Sequence, residues 1–479
     1  MQSSPLIVEG KAQSAPRQTA PAEWLHARLI PTAGIRSEME RERRASSCLL
    51  AVLHGVPEFG HALLHKLGAP KSPTIDTYAE VRFKDGSGKT VIPDGAIVCQ
   101  WGKRRWTCLV EVKTGANALK VDQVASYLDL ARDNDFDGVL TISNQITAGP
   151  AESPIEIDGR KLRKASLWHL SWWGILTEAV VQSRRGISDS NQAWILRELI
   201  HYLGNEASGA TAFEDMGEHW VAVRKGAREQ TLRAGSAQVG AVADRWEQFT
   251  QYLCLSLSQS LGRGVSSPRP RKQTTAGRLE EIAKCLVASG VLVSSLRIPD
   301  AVGDVELRAD LRARQTMTAV SLDAPQDRGA RPRVTWLIRQ LEGAPDEIRV
   351  EAAYPNVRDT VAATLAEVRQ DPARLLHATD AKRGAKNFIV TLSKPMGQKR
   401  GRTEGSFVRE TSAQTVTFYR DLVQNLKAWQ PAAPRVQPES DPATPGAEDL
   451  PVEPVWSEEE TTPDDGDQAE RDTQVSPAR

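Results

Sequence analysis

The chain has 479 residues, of which 40% are hydrophobic and 25% charged, with 61 basic and 61 acidic side chains. At roughly 100–200 residues per domain, two or three domains are expected. No run approaches the ~18 consecutive apolar residues of a membrane helix, and no basic start followed by an apolar block opens the chain. The scattered Cys48, Cys99, Cys108, Cys254 and Cys285, without a CxxC pair, fit the thiols of a reducing cytoplasm better than disulfides or a zinc site.

Residues 1–34, rich in Pro, Ala, Ser and Gln, read as a flexible segment. A helix is expected from about Ile35, with Ser37 as N-cap and Glu40 three residues on as a capping box. Glu38, Glu42, Ser46, Leu49, Leu53 and Val56 fall on one stripe of it, carboxylates first and apolar residues after. A second helix over 57–67 carries His61 and His65 one turn apart. With no third ligand nearby, these read as a surface or half-buried pair rather than metal ligands.

Strands are expected at 77–84, 90–99 and 106–113, separated by turns at 85–88 and 102–104. An amphipathic helix over 118–133, a short buried strand at 139–143 and a further strand at 162–170 follow. Trp168, Trp172 and Trp173 read as core. Residues 183–262 read as a helical extension packed on the first domain, and 263–277 as a basic linker. A second, smaller α/β domain is expected over 278–430, with strands near 292–298, 304–309, 317–322, 348–353 and 388–392 and helices at 278–289, 334–342, 357–370 and 411–428. From 431 to 479 the chain is acidic, Pro-rich and aperiodic, the composition of a disordered tail. Thirteen acidic and three basic residues lie from Gln430 onward. Subtracting them from the 61 of each sign leaves 58 basic against 48 acidic residues, a mildly basic body suited to a polyanion.

The chemistry concentrates between residues 77 and 143. Side chains alternate along a strand, so Glu111 and Lys113 share a face with Thr107 and Leu109, while Cys108, Val110 and Val112 face the other way, into the core. A charged pair on an otherwise apolar strand is costly without a task or a partner. Asp94, placed on the neighbouring strand with Ala96 and Val98, can approach Glu111 closely enough for both to chelate one hard cation. Such a cation lowers the pKa of a bound water, and Lys113 would orient that water or offset charge on the phosphate. Pro93 pins the backbone just before the aspartate.

Pro93-Asp94 and Glu111-Val112-Lys113, set in a helix–strand–strand–strand–helix–strand order, resemble the PD-(D/E)xK nuclease superfamily, the restriction-endonuclease-like fold. Gln123 and Tyr127 form a QxxxY on the following helix, similar to the branch found in recombination and repair exonuclease domains. The resemblance covers about 35–175, and in detail the segment is similar to actinobacterial-type proteins that pair such a domain with a long C-terminal half. It implies a domain at 35–182 with an αβββαβ core, a mixed central sheet flanked by helices. It further implies a hydrolase cleaving DNA phosphodiester bonds in repair, stress response or defence, with Mg²⁺, or Mn²⁺ in its place, as cofactor. Asp94, Glu111, Lys113 and Gln123 take the catalytic places, and Glu80, Asp94 and Glu111 the metal-binding ones. Glu38 or Glu42 matches an acidic residue often found on the first helix, and Tyr127 is supporting.

DNA is the expected partner, RNA the alternative substrate, and a homodimer is compatible with double-strand cutting. Arg269, Arg271, Lys272, Lys399, Arg400 and Arg402, in basic loops, would contact phosphate. The competing reading is a non-catalytic module of the same fold that binds nucleic acid or protein. GSGKT at 86–90 mimics the end of a phosphate-binding loop. However, the motif needs glycine at 83, where Phe83 stands, and the stretch lies between two strands.

Overall fold

The computed structural model describes residues 28–431 apart from Asp85 and Ser87, and these form one compact unit. Most of the expected flexible N-terminal segment and all but the first residue of the expected acidic tail lie outside the described residues. The end of the former is tied down. Arg28 pairs with Glu198 at 3.1 Å, the Leu29 N–H donates to the same carboxylate at 2.9 Å, and Arg44 donates to the Pro31 carbonyl at 2.6 Å.

The chain opens with α1 (Glu38–Gly55) and α2 (Pro57–His65), then β1 (Thr74–Ala79), β2 (Phe83–Lys84), β3 (Thr90–Val91), β4 (Gly95–Trp101) and β5 (Arg104–Val112). It continues with α3 (Val121–Asp133), β6 (Gly138–Ser143), β7 (Ser166–Ser171), α4 (Trp172–Arg185), α5 (Ser190–Leu203), α6 (Trp220–Glu229) and α7 (Ala237–Leu261). Ser37 caps α1 as expected, its Oγ accepting the Glu40 N–H at 3.1 Å. The return bond of the capping box is shifted: Glu40 accepts the N–H of Arg36 rather than that of Ser37.

The first sheet runs β1–β4–β5–β6–β7. β1, β4 and β5 pair antiparallel, whereas β5–β6 and β6–β7 pair parallel, as the α3 crossover and the long, mostly irregular 144–165 connection permit. The sheet is covered on both sides. Cys108, Val110 and Val112 pack with α1, α2 and α4. Leu109, on the face that also carries Glu111, packs under Val124, Tyr127 and Leu128 of α3. The arrangement is a three-layer α/β structure with β5 at its centre.

Two sequence expectations change here. The strands foreseen at 77–84 and 90–99 each break. Glu80 adopts a positive φ of 50°, and 83–84 and 90–91 leave the main sheet to pair as a ribbon. Asp94 therefore sits in the bend before β4, not on the strand. GSGKT joins the two ribbon strands, so its hairpin reading stands.

The second half comprises α8 (Thr275–Ser289), β8 (Val291–Leu296), β9 (Val305–Asp310), β10 (Gln315–Asp323), α9 (Ala330–Gln340), β11 (Arg349–Ala353), β12 (Val361–Thr364), α10 (Leu365–Gln370), β13 (Asn387–Pro395) and α11 (Phe407–Asp421). Its six strands form an antiparallel sheet in the order β12–β11–β13–β10–β9–β8, so it is not the smaller of the two. Buried and exposed residues alternate along β10 and β13, leaving one face open. The helix foreseen at 357–370 is a strand, β12, followed by the short α10.

The helical extension also divides. Leu196, Leu199 and Tyr202 of α5 join the first core. Val223 of α6 and Trp246, Phe249 and Leu253 of α7 join the second, where Phe249 meets Phe407 at 5.7 Å between ring centres. The 262/263 boundary is thus not a break in packing. Trp172 is fully buried, and Trp168 packs on Trp106 at 5.5 Å, in keeping with a core role. Among the described residues no single helix is long and apolar enough to cross a membrane.

Candidate functional site

Asp94 and β5 are joined directly. The Asp94 Oδ2 accepts the backbone N–H of Val112 at 2.7 Å, so the bend carrying the aspartate is fixed between the Glu111 and Lys113 side chains. The next residue must be glycine. A Cβ on Gly95 would stand 2.5 Å from Leu50 Cδ1 and 2.9 Å from the Tyr78 carbonyl oxygen, so α1 closes onto β4 only because none is there.

Glu111 and Lys113 lie on the face that α3 covers. The Lys113 Nζ donates to Glu111 Oε1 at 2.6 Å and to the Val112 carbonyl at 3.0 Å, and lies 3.5 Å from Glu42 Oε2. The side chains are 2% exposed for Glu111, 13% for Lys113 and 15% for Glu42. The other oxygen of Glu111, Oε2, is buried and makes no hydrogen bond. The Lys113 backbone is held at both ends: its N–H donates to Ile142 at 2.8 Å, and its carbonyl accepts the Trp172 indole N–H at 2.9 Å.

Of the two acidic candidates on α1, Glu42 faces the site. Its Oε1 accepts from Asn117 Nδ2 at 2.7 Å and from the Thr114 N–H at 3.4 Å. Glu38 turns outward to Arg41. Glu80 donates its backbone N–H to the Asp94 carbonyl at 3.1 Å, but its carboxylate, 53% exposed, pairs with Arg43 at 2.6 Å. Gln123 Nε2 donates to the Tyr127 hydroxyl at 3.0 Å, and that hydroxyl donates to the Ile92 carbonyl at 3.2 Å, two residues before Asp94. Gln123 and Tyr127 thereby tie α3 to the Asp94 bend.

The electrostatics follow from this crowding. Burial, then the charge of Asp94, push Glu111 up to about 7 against the bonds it makes with Lys113. Burial also raises Asp94, with Glu42 and Glu80 adding to the effect and the Val112 N–H and Lys113 opposing it. Burial alone would lower Lys113, but its bond to Glu111 and the charges of Glu111, Glu42 and Asp94 outweigh this and raise it. Tyr127 is raised by burial and by Glu111 beside it, so it stays a phenol.

Asp94 and Glu111 are thus two neighbouring carboxylates that resist ionising together. Among the described residues no group of three or more His, Cys, Asp or Glu is placed to hold a metal ion. Two carboxylates are nevertheless the protein share of many Mg²⁺ sites, where water and substrate phosphates supply the remaining ligands. The unbonded Glu111 Oε2 fits that donor set.

The basic loops divide. Arg269 is engaged internally, at 2.8 Å from Glu152 and 2.7 Å from Glu247. Arg271, Lys272, Lys399, Arg400 and Arg402 are exposed, with Arg400 and Arg402 making only long contacts, each of 3.4 Å, to the Glu218 carbonyl and the Tyr252 hydroxyl. His61 and His65 face the Pro73 and Ala69 carbonyls. Asn117 and Trp172 were not foreseen as site residues, since nothing in their spacing marks the former as partner of Glu42 or the latter as donor to the Lys113 carbonyl. No protein-family model, curated protein or solved structure matches the chain at a significant level.

Proposed function

We propose that this protein is a metal-dependent nuclease hydrolysing DNA phosphodiester bonds, built on the restriction-endonuclease-like plan. The observation that carries the reading is the juxtaposition of Asp94, Glu111 and Lys113. The buried Glu111, raised by burial and by the charge of Asp94, and the half-buried Asp94, itself raised by burial, stand with the half-buried Lys113 ammonium at the meeting of β4 and β5. The element order α1–β1–β4–β5–α3–β6 and the Gln123–Tyr127 tie to the Asp94 bend support it.

Asp94 and Glu111 would hold Mg²⁺, or Mn²⁺ in its place, which supplies positive charge to a phosphate oxygen and acidifies a bound water. Lys113, steadied by Glu111 and Glu42, presents a positive charge for the developing charge on the phosphate. Glu42, held by Asn117 and the Thr114 N–H, sets the direction of that ammonium. The backbone anchors at Ile142 and Trp172 keep Lys113 from drifting off the strand end.

The test is cleavage of plasmid and linear DNA with Mg²⁺ by the wild type and by Asp94→Asn, Glu111→Gln and Lys113→Ala. Loss in all three supports the proposal; undiminished cleavage by the variants overturns it. A non-catalytic binding module is the second reading, favoured by the absence of a third acidic or histidine ligand among the described residues. It requires DNA binding indifferent both to Mg²⁺ and to Glu111→Gln.

A further inference from the structure

A second feature lies on the other half of the molecule, on α9. Arg331, Thr335 and Arg339 recur every four residues and form one stripe of the helix. Arg328 stands just before it, with its guanidinium 4.3 Å over the ring of Trp429. Trp336 meets Trp429 edge to face at 6.3 Å between centres. These residues line an open cavity of about 420 Å³, within the size range of small-ligand pockets. The 427–429 segment is fastened there by the Lys427 N–H, which donates to Gln340 at 2.9 Å.

Two further facts point to a ligand. Among the described residues, none of the three guanidiniums has a carboxylate partner. The Trp429 indole N–H is shielded from solvent and makes no hydrogen bond, a donor without an acceptor. The surrounding chemistry is a row of cations beside a tryptophan and an arginine stacked on each other, the combination that holds a phosphodiester backbone and stacks its bases.

We propose that the Arg328–Arg331–Arg339 stripe with Trp336 and Trp429 binds single-stranded nucleic acid. Arg331 and Arg339 contact phosphates, and a base extends the Arg328–Trp429 stack. The proposal complements the nuclease reading without needing it, because it concerns binding alone.

The experiment uses the full chain in EDTA, so that cleavage plays no part. Anisotropy of a fluorescein-labelled oligo-dT of about 20 nucleotides is followed over a salt series for the wild type, Arg331→Ser/Arg339→Ser and Trp429→Ala. Each phosphate contact contributes about −0.7 to the slope of log K against log salt for a single strand. The double variant is expected to bind roughly tenfold more weakly at low salt, with a slope shallower by about 1.4. Trp429→Ala is expected to weaken binding about tenfold with the slope unchanged. In parallel, unlabelled oligo-dT is expected to quench tryptophan emission in the wild type but less in Trp429→Phe, a readout that survives if a bulkier change fails to fold.

Unchanged affinity and slope in the double variant overturn the proposal. So does equal competition by a duplex of the same length, which would make the patch a general phosphate contact. Displacement by polyglutamate as effective as by oligo-dT overturns it too, in favour of an acidic protein partner. Loss of cleavage at Asp94 bears only on the nuclease reading, and the EDTA titration only on this one.

Discussion

Asp94 holds Val112 by its backbone: the carboxylate Oδ2 accepts the amide at 2.7 Å, between the two charged residues of the Glu-Val-Lys triplet. One side chain thus has two duties, orienting β5 and presenting charge. They can be separated. Asparagine keeps an acceptor oxygen at the same place, so Asp94→Asn is expected to hold thermal stability near that of the wild type while Mg²⁺-dependent cleavage falls at least a hundredfold. Asp94→Ala leaves the Val112 amide unpaired and is expected to lose a further ~1–3 kcal/mol of stability. Denaturant melts of both variants, beside cleavage assays, check this; equal stability of the two would deny the positional role.

Lys113 lies between Glu111 and Glu42, so removing its charge leaves two shielded carboxylates facing each other. Breaking a buried ion pair by deleting one partner typically costs about 3–5 kcal/mol, and some loss is relieved here because Glu111 can protonate. Lys113→Met is therefore expected to lower the melting temperature without metal and to regain more of it than the wild type does when Mg²⁺ or Mn²⁺ is added. Scanning calorimetry with and without metal measures the difference. A metal-induced shift no larger than that of the wild type would count against Asp94 and Glu111 as the metal-holding pair.

The pH dependence follows from Glu111. Its folded-state pKa of about 7 lies above the ordinary 4.5. A carboxyl raised by folding binds more protons folded than unfolded across that interval, so its contribution to stability is full below about 4.5 and is lost as pH rises through about 7. The loss is on the order of 3 kcal/mol at ~1.4 kcal/mol per pKa unit. Melts between pH 5 and 8 are expected to show the wild type losing stability relative to Glu111→Gln, with the two curves parallel above pH 8. Parallel curves throughout would show that Glu111 titrates normally.

What the sequence made legible was set by local geometry. Ser37 and Glu40 marked the start of α1 because capping depends on neighbours three residues away. Alternation put Glu111 and Lys113 on one face because a strand has period two. What needed the assembled fold was harder. Glu38 and Glu42 share a helical stripe, and what separates them is that only the latter accepts hydrogen bonds from Thr114 and Asn117 and reaches Lys113. The face bearing Glu111 reads as exposed in a single strand, and is covered only because α3 returns across it. The pattern of 77–84 is that of one strand, yet Glu80 turns to a positive φ to release the following ribbon. Helix α7, apolar on most sides, carries no mark of which sheet it serves.

The stretch 263–277 supplies the last prediction, because its basic residues do unlike things. Arg269 and Arg278 converge on the buried Glu247 of α7, and Arg269 also reaches Glu152 in the connection between β6 and β7. Burial alone would raise Glu247, but Arg278 and Arg269 hold it below its ordinary value, so it is ionised and needs both partners. Arg271 and Lys272, two and three residues on, are exposed. Arg269→Ala is therefore expected to cost about 1–3 kcal/mol, because Glu247 loses one of its two arginine partners while Arg278 remains, with DNA affinity of the folded protein unchanged. Arg271→Ala/Lys272→Ala is expected to leave stability within ~0.5 kcal/mol and, where these residues meet phosphate, to flatten the salt dependence of binding by up to about 1.8 for a duplex. Urea melts and salt-dependent binding on the two variants distinguish the roles. A stable Arg269→Ala variant with weakened DNA binding would reverse the assignment and return Arg269 to the nucleic-acid surface.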